Sequence, residues 1–96
     1  AWVNFNGTGT VAIRDSEGVS SVGDMSTGMY TINLSAAMSN ADYSVTASAG
    51  GLSYRNMVTK WNGTPTTTSF NVGILNLNAS AYEDDTQVSV VVMGGQ

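Results

Sequence analysis

The sequence predicts an all-β domain, a small antiparallel sandwich or barrel of about eight short strands. Apolar and polar residues alternate with a period of two along most of the chain, as in strands with one buried face. Val, Ile, Tyr and Thr, which fit a pleated surface, recur in these runs. Short turn signals separate the runs. The clearest turn signals are Asn6-Gly7, Gly23-Asp24, 39–42, Gly50-Gly51 and 62–65.

Four strands are predicted in the first half of the chain, at 2–5, 10–15, 18–23 and 29–35. In the first strand, Trp2 and Asn4 share one face, and Val3 and Phe5 share the other. In the fourth, apolar residues take every second position from Tyr30 onward. The segment that follows it is the single candidate for a helical turn, and we expect no helix there.

Four more strands are predicted in the second half, at 43–49, 54–61, 67–75 and 87–93. The last one is apolar on both faces, because Val88, Val90 and Val92 alternate with Val91 and Met93. A strand with two apolar faces needs cover on both. Either it lies centrally between two layers, or one of its faces meets another subunit.

The composition predicts one domain over residues 1–96 and excludes several kinds of chemistry. The chain has neither cysteine nor histidine, so it lacks disulfides, thiolate metal sites and the commonest general base. Only 10% of its residues are charged, whereas about 25% is typical. Such a surface is easily desolvated, and oligomerisation would bury more of it. We expect a non-enzymatic protein without a cofactor.

The charge balance argues against two classes of partner. The net charge is −4, because Arg14, Arg55 and Lys60 face seven acidic residues. Three scattered cations do not form the basic surface that nucleic acids or anionic membranes require. No apolar run approaches the ~20 residues of a membrane-spanning helix. We therefore expect neither nucleic-acid binding nor membrane insertion.

The first sixteen residues read A-W-V-N-F-N-G-T-G-T-V-A-I-R-D-S. This segment resembles one found near the C-terminal ends of bacteriophage tail-fibre and related virion proteins, where it opens a compact β module. The resemblance is dense over residues 1–46 and faint beyond them. Its other parts are 19–22, Gly28–Leu34, Ala37-Met38 and Asn40–Tyr43.

The resemblance implies a location and a function. The chain would be the C-terminal fragment of a longer fibre protein in the virion, which agrees with its start inside a strand-like pattern. The implied function is adsorption, in which a homotrimeric fibre tip binds a host-surface receptor, a glycan or an outer-membrane component. Two alternatives stay open. The domain would be a structural trimerisation or capping domain of the fibre, or a cellular carbohydrate-binding or adhesin domain.

Apolar and arginine side chains near the two ends of the chain are the candidates for a subunit interface. Trp2 needs a surface to pack on, either in a neighbouring subunit or at the end of its own sandwich. Arg14 would anchor a structural contact, to Asp24 or to another subunit, because its guanidinium suits bidentate pairing. The full set is Trp2, Phe5, Arg14, Val91 and Met93.

Aromatic and amide side chains near turns are the candidates for receptor contact. An exposed aromatic ring can stack on a sugar, while short polar side chains bond its hydroxyls. Loops concentrate such binding residues. The set is Tyr54, Arg55, Trp61, Asn62 and Tyr82, with Asn56 beside it.

One acidic cluster, Glu83-Asp84-Asp85, precedes the last strand. Carboxylates could recruit Ca²⁺ there with help from Asn76 or Asn78, because hard cations take several oxygen ligands. The spacing matches no calcium-binding loop, so we favour a solvated loop without a metal.

Overall fold

A computed structural model describes residues 1–50, 56–60, 65–76 and 81–94, with the backbone alone at 56–60. Over these ranges the chain is all-β without a helix, which confirms the predicted fold class. Eight strands match predicted ones, and β8, with two residues, has no predicted counterpart. The strands are β1 (Trp2–Asn6), β2 (Ala12–Glu17), β3 (Val19–Ser26), β4 (Met29–Leu34), β5 (Ser44–Ala49), β6 (Asn56–Lys60), β7 (Ser69–Asn76), β8 (Ala81–Tyr82) and β9 (Val88–Met93).

The strands form two antiparallel sheets. Sheet A has the order β2-β1-β9-β5, and sheet B has the order β3-β4-β7-β6 with β8 paired to β7. The chain passes from sheet A to sheet B at Gly18, which has a positive φ of 74°. Glycine adopts this conformation without steric cost. A side chain at Gly18 would also crowd Ala1, because its Cβ would lie 3.0 Å from the Ala1 Cβ.

The inner faces of the two sheets share one hydrophobic core. Its largest members include Phe5 and Tyr30, whose rings meet edge to face with centroids 5.2 Å apart. Tyr43 and Phe70 form a second aromatic contact, with centroids 5.7 Å apart. The core residues are Val3, Phe5, Val19, Tyr30, Ile32, Leu34, Tyr43, Phe70, Val72, Ile74, Val88, Val90 and Val92.

Strand β9 lies between β1 and β5 in the middle of sheet A. Its inward residues, such as Val90, are covered by the core. On its other side, Val91 is 43% exposed and Met93 is 69% exposed. The central position therefore covers one apolar face of the strand, and none of the described residues covers the other fully.

Candidate binding face

The outer face of sheet A carries large apolar side chains. Along β1, Val3 and Phe5 point into the core, so Trp2 and Asn4 point outward, as the predicted alternation requires. Trp2 is paired in register with Val91 of β9, and Val91 is paired with Thr46 of β5. Trp2 is 37% exposed. We call the three outward residues Trp2, Val91 and Met93 the apolar strip.

A hydrogen bond holds the Trp2 indole. Trp2 is in register with Glu17 of β2, and its Nε1 donates to Glu17 Oε2 at 3.3 Å. The nitrogen edge of the ring is thereby attached to the neighbouring strand. The bond restricts the orientation of an aromatic side chain that remains partly exposed to solvent.

Polar side chains border the apolar strip on both sides. On one side, Asn4 Nδ2 donates to Ser89 Oγ at 3.0 Å. On the other, β5 presents the exposed hydroxyl residues Ser44, Thr46 and Ser48. The apolar strip is therefore surrounded mainly by small, uncharged, hydrogen-bonding groups.

Arg14 belongs to the same side of sheet A. A β-bulge opposite Asn4 and Phe5 leaves Arg14 without a register partner on β1. Its Nη1 donates to Asn4 Oδ1 at 3.3 Å, and its Nη2 donates to the carbonyl oxygen of Thr86. Arg14 thus makes a structural contact as expected, but the suggested partner Asp24 is wrong.

The structure brings together four of the five predicted interface residues. Trp2, Arg14, Val91 and Met93 are exposed on sheet A, and their contact with another subunit stays a prediction. Phe5 is a correction. It has no exposed surface, because it points into the core of its own chain. Its assignment to a subunit interface is therefore wrong.

Most of the predicted receptor contacts lie outside the described residues. These are Tyr54, Arg55, Trp61 and Asn62, and the side chain of Asn56 is not described. Tyr82 is partly buried in β8, where it is paired in register with Leu75. Its role in receptor binding stays a prediction.

The acidic segment before β9 is not the solvated loop that the sequence indicates. Glu83 Oε2 accepts a bond from Asn76 Nδ2 at 3.0 Å, and Asp85 Oδ1 accepts one from the backbone N–H of Gln87 at 3.0 Å. Asp85 has no exposed surface. Its backbone carbonyl also accepts the N–H of Gly7 at 2.8 Å. The segment is therefore built into the end of the sandwich.

Asp84 completes what we call the tyrosine cluster, formed by Gly7, Gly28, Tyr30 and Asp84. The Tyr30 hydroxyl lies 2.7 Å from Asp84 Oδ1 and 2.8 Å from the carbonyl oxygen of Gly7. The Gly28 N–H donates to the same Asp84 oxygen at 2.7 Å. Burial and then the Asp84 carboxylate raise the pKa of Tyr30 far above its usual value. The cluster joins three loops that are distant in the chain.

The three carboxylates of this segment thus bond different partners. Among the described residues, no group of three acidic, histidine or cysteine side chains is arranged to hold a metal ion. The Ca²⁺ hypothesis for Glu83, Asp84 and Asp85 therefore finds no geometric support. Of the four residues of the tyrosine cluster, the turn signals of the sequence include only Gly7, and that signal does not identify a long-range partner.

The candidate site is consequently an open face. The described residues form no pocket, and none of their elements is a helix that could span a membrane. Comparison of the chain with protein-family models, with curated proteins and with solved structures finds no match.

Proposed function

We propose that the protein is a non-enzymatic adsorption module of a phage tail fibre. It acts in the virion as a homotrimer and binds a receptor on the host surface, a glycan or an outer-membrane component. The observation that carries the proposal is the apolar strip, where the side chains of Trp2, Val91 and Met93 are exposed on one face of sheet A.

A β-sheet face suits this role, because its backbone is fixed by pairing on both sides. Trp2 and Val91 sit on the two central strands of sheet A, and neither strand is an edge. Binding residues on such a scaffold lose little conformational freedom when a ligand arrives. The face is ready for contact without a closing loop or a hinge.

The resemblance to tail-fibre modules adds support, because its residues build the framework of this fold. The first sixteen residues supply β1 and most of β2, and Gly28–Leu34 supplies β4. Gly7, Gly28 and Tyr30 of these segments also form three of the four members of the tyrosine cluster. The recurring segments therefore supply β1 and most of β2 in sheet A, and β4 in sheet B.

Trimerisation would strengthen shallow contacts of this kind. Each chain offers a small face, and each contact with the receptor is weak. Three linked chains can raise the overall avidity by about 10²–10⁴ without a new contact. A fibre tip therefore needs no deep pocket.

A structural capping domain is the second candidate. The observation that favours it is the same uncovered side of β9, where Val91 and Met93 could pack against a neighbouring subunit. In that case the apolar strip would be buried in the assembled fibre. A cellular carbohydrate-binding domain would leave the strip exposed, as the adsorption module does.

Light scattering across a dilution series, together with cell binding, tests the proposal. We expect a concentration-independent trimer and saturable binding of the labelled domain to some strains in a panel of bacteria. Unlabelled domain should compete for these cells. A stable monomer would contradict the trimer, and failure to bind any strain as a trimer would favour the capping domain.

A further inference from the structure

We infer that the apolar strip is a stacking platform for a neutral or amino-bearing sugar ring. In this arrangement the Trp2 indole packs on the apolar face of a pyranose, and the polar border bonds its hydroxyls. The inference rests on the proposed adsorption function and assigns the chemistry of its receptor. It gives Trp2, Val91 and Met93 to the ligand rather than to a second copy of the chain.

The size of the strip favours a sugar over a protein surface. Adjacent strands are about 4.8 Å apart, and alternate residues along a strand are about 7 Å apart. Trp2, Val91 and Met93 occupy two neighbouring strands and two rows, which is on the order of 130 Å² of sheet face. A stable protein interface needs about 800 Å² from each partner. The strip alone supplies only a fraction of that area, and it accommodates one or two sugar rings.

The Trp2 side chain is already oriented for stacking. Its Nε1 donates to Glu17 Oε2 at 3.3 Å, so the bond holds the ring while part of it remains exposed. A fixed aromatic side chain adds contact area at a small cost in conformational entropy. Val91, paired in register with Trp2, extends the apolar floor beside the ring.

The border offers hydrogen-bonding groups beside the apolar strip. Thr46 lies directly across from Val91, and Ser44 lies directly across from Met93. Both side chains are exposed, and their hydroxyls can donate and accept. On the other side of Trp2, the Glu17 carboxylate can accept hydroxyl protons in addition to the indole N–H.

Charge restricts the class of sugar. Glu17 is in register with Trp2 and Asp15 is in register with Asn4, so two carboxylates lie along the β2 side of the face. Arg14, the one arginine on this face among the described residues, donates to uncharged oxygens of Asn4 and Thr86, so the two carboxylates outnumber it. Like charges repel at short range. We therefore expect neutral and amino sugars to bind, and sialylated or uronic-acid sugars to be rejected.

An array of neutral, amino and acidic bacterial oligosaccharides tests the inference, followed by titration of the sugars that bind. We expect binding within the neutral or amino class. Trp2→Ala should weaken that binding at least tenfold, and Trp2→Phe should restore part of it. The matched control is Met25→Ala, which removes a side chain of similar exposure (46%) from β3 in sheet B. It should leave binding unchanged.

A second variant guards against a folding defect. Thr46→Arg keeps Trp2 but places a long side chain next to Val91, so it should also weaken binding at least tenfold. Circular dichroism and the melting temperature establish whether each variant is folded.

The outcomes separate the inference from the proposed function. If Trp2→Ala and Thr46→Arg leave sugar binding unchanged, the inference that the apolar strip binds the sugar is wrong, while the proposed adsorption function is not contradicted. The same holds if the domain binds bacterial cells but no sugar on the array, or only acidic sugars. If it binds neither cells nor sugars, both proposals fail.

Discussion

Replacing Tyr30 with phenylalanine should destabilise the domain by about 2 kcal/mol. The substitution removes one hydroxyl that lies 2.7 Å from Asp84 Oδ1 and 2.8 Å from the Gly7 carbonyl. A hydrogen bond to a charged group contributes about 1.5–3 kcal/mol, and a buried acceptor left without its donor adds a desolvation cost. The aromatic contact with Phe5 is kept, so the packing loss is small.

The expected effect is large for a domain of this size. Its total stability should be about 5–14 kcal/mol, and each kcal/mol shifts the melting temperature of a domain this small by about 4–8 °C. Urea unfolding at pH 7 and fixed protein concentration measures the loss. Asp84→Asn and the double variant complete a cycle with Tyr30→Phe, in which we expect a coupling of about 1–2 kcal/mol.

The matched control for the cycle is Asp42→Asn, which changes an exposed carboxylate. It should alter the free energy of unfolding by less than about 0.5 kcal/mol. A Tyr30→Phe variant within about 0.5 kcal/mol of the native protein would refute the role assigned to the hydroxyl. Strict additivity with Asp84→Asn would refute the contact between the two side chains.

Two further predictions concern the stability of the domain at alkaline pH and the replacement of three glycines. Burial raises the pKa of Tyr30 and of Tyr43, so above about pH 10 the unfolded chain releases these protons more readily than the folded chain. The contribution of these tyrosines to the free energy of unfolding should be constant below that pH. Above it, the free energy should fall by up to about 1.4 kcal/mol per pH unit for each tyrosine. Urea unfolding from pH 8 to 11 measures the effect, and a flat profile contradicts the prediction. Gly28→Ala should cost more than about 3 kcal/mol, because φ is +70° and the new Cβ would lie 2.5 Å from the Glu83 nitrogen. Gly9 has a positive φ but no close neighbour, so Gly9→Ala should cost about 1 kcal/mol. Gly50 has neither a positive φ nor a close neighbour, so Gly50→Ala should be neutral or stabilising. Equal losses of stability at all three positions would refute the argument.

Local alternation predicts most of the fold. A period of two is a property of neighbouring residues, so strands and their faces can be inferred without tertiary contacts. The inner positions of β9 and the outward position of Trp2 follow from it. The same rule excludes Phe5 from an interface with Trp2, because residues an odd number apart on one strand point to opposite faces.

Alternation of apolar and polar residues does not predict long-range contacts. Asp84 lies in an acidic run that looks solvated, yet Tyr30 and Gly28 come to it from more than fifty residues away. Likewise, the β-bulge at Arg14 and its bond to the Thr86 carbonyl depend on how sheet A is assembled. Neither contact has a local signature in the sequence.

Accessibility of Trp2 in the assembled protein tests the central claim most directly. The chain has two tryptophans, so Trp61→Phe leaves Trp2 as the sole source of tryptophan fluorescence. Acrylamide quenching is then measured on the trimer that light scattering identifies. A receptor-facing strip predicts that acrylamide quenches Trp2 readily in this trimer. Shielding of Trp2 from acrylamide in the trimer would contradict the account and identify the apolar strip as a subunit interface.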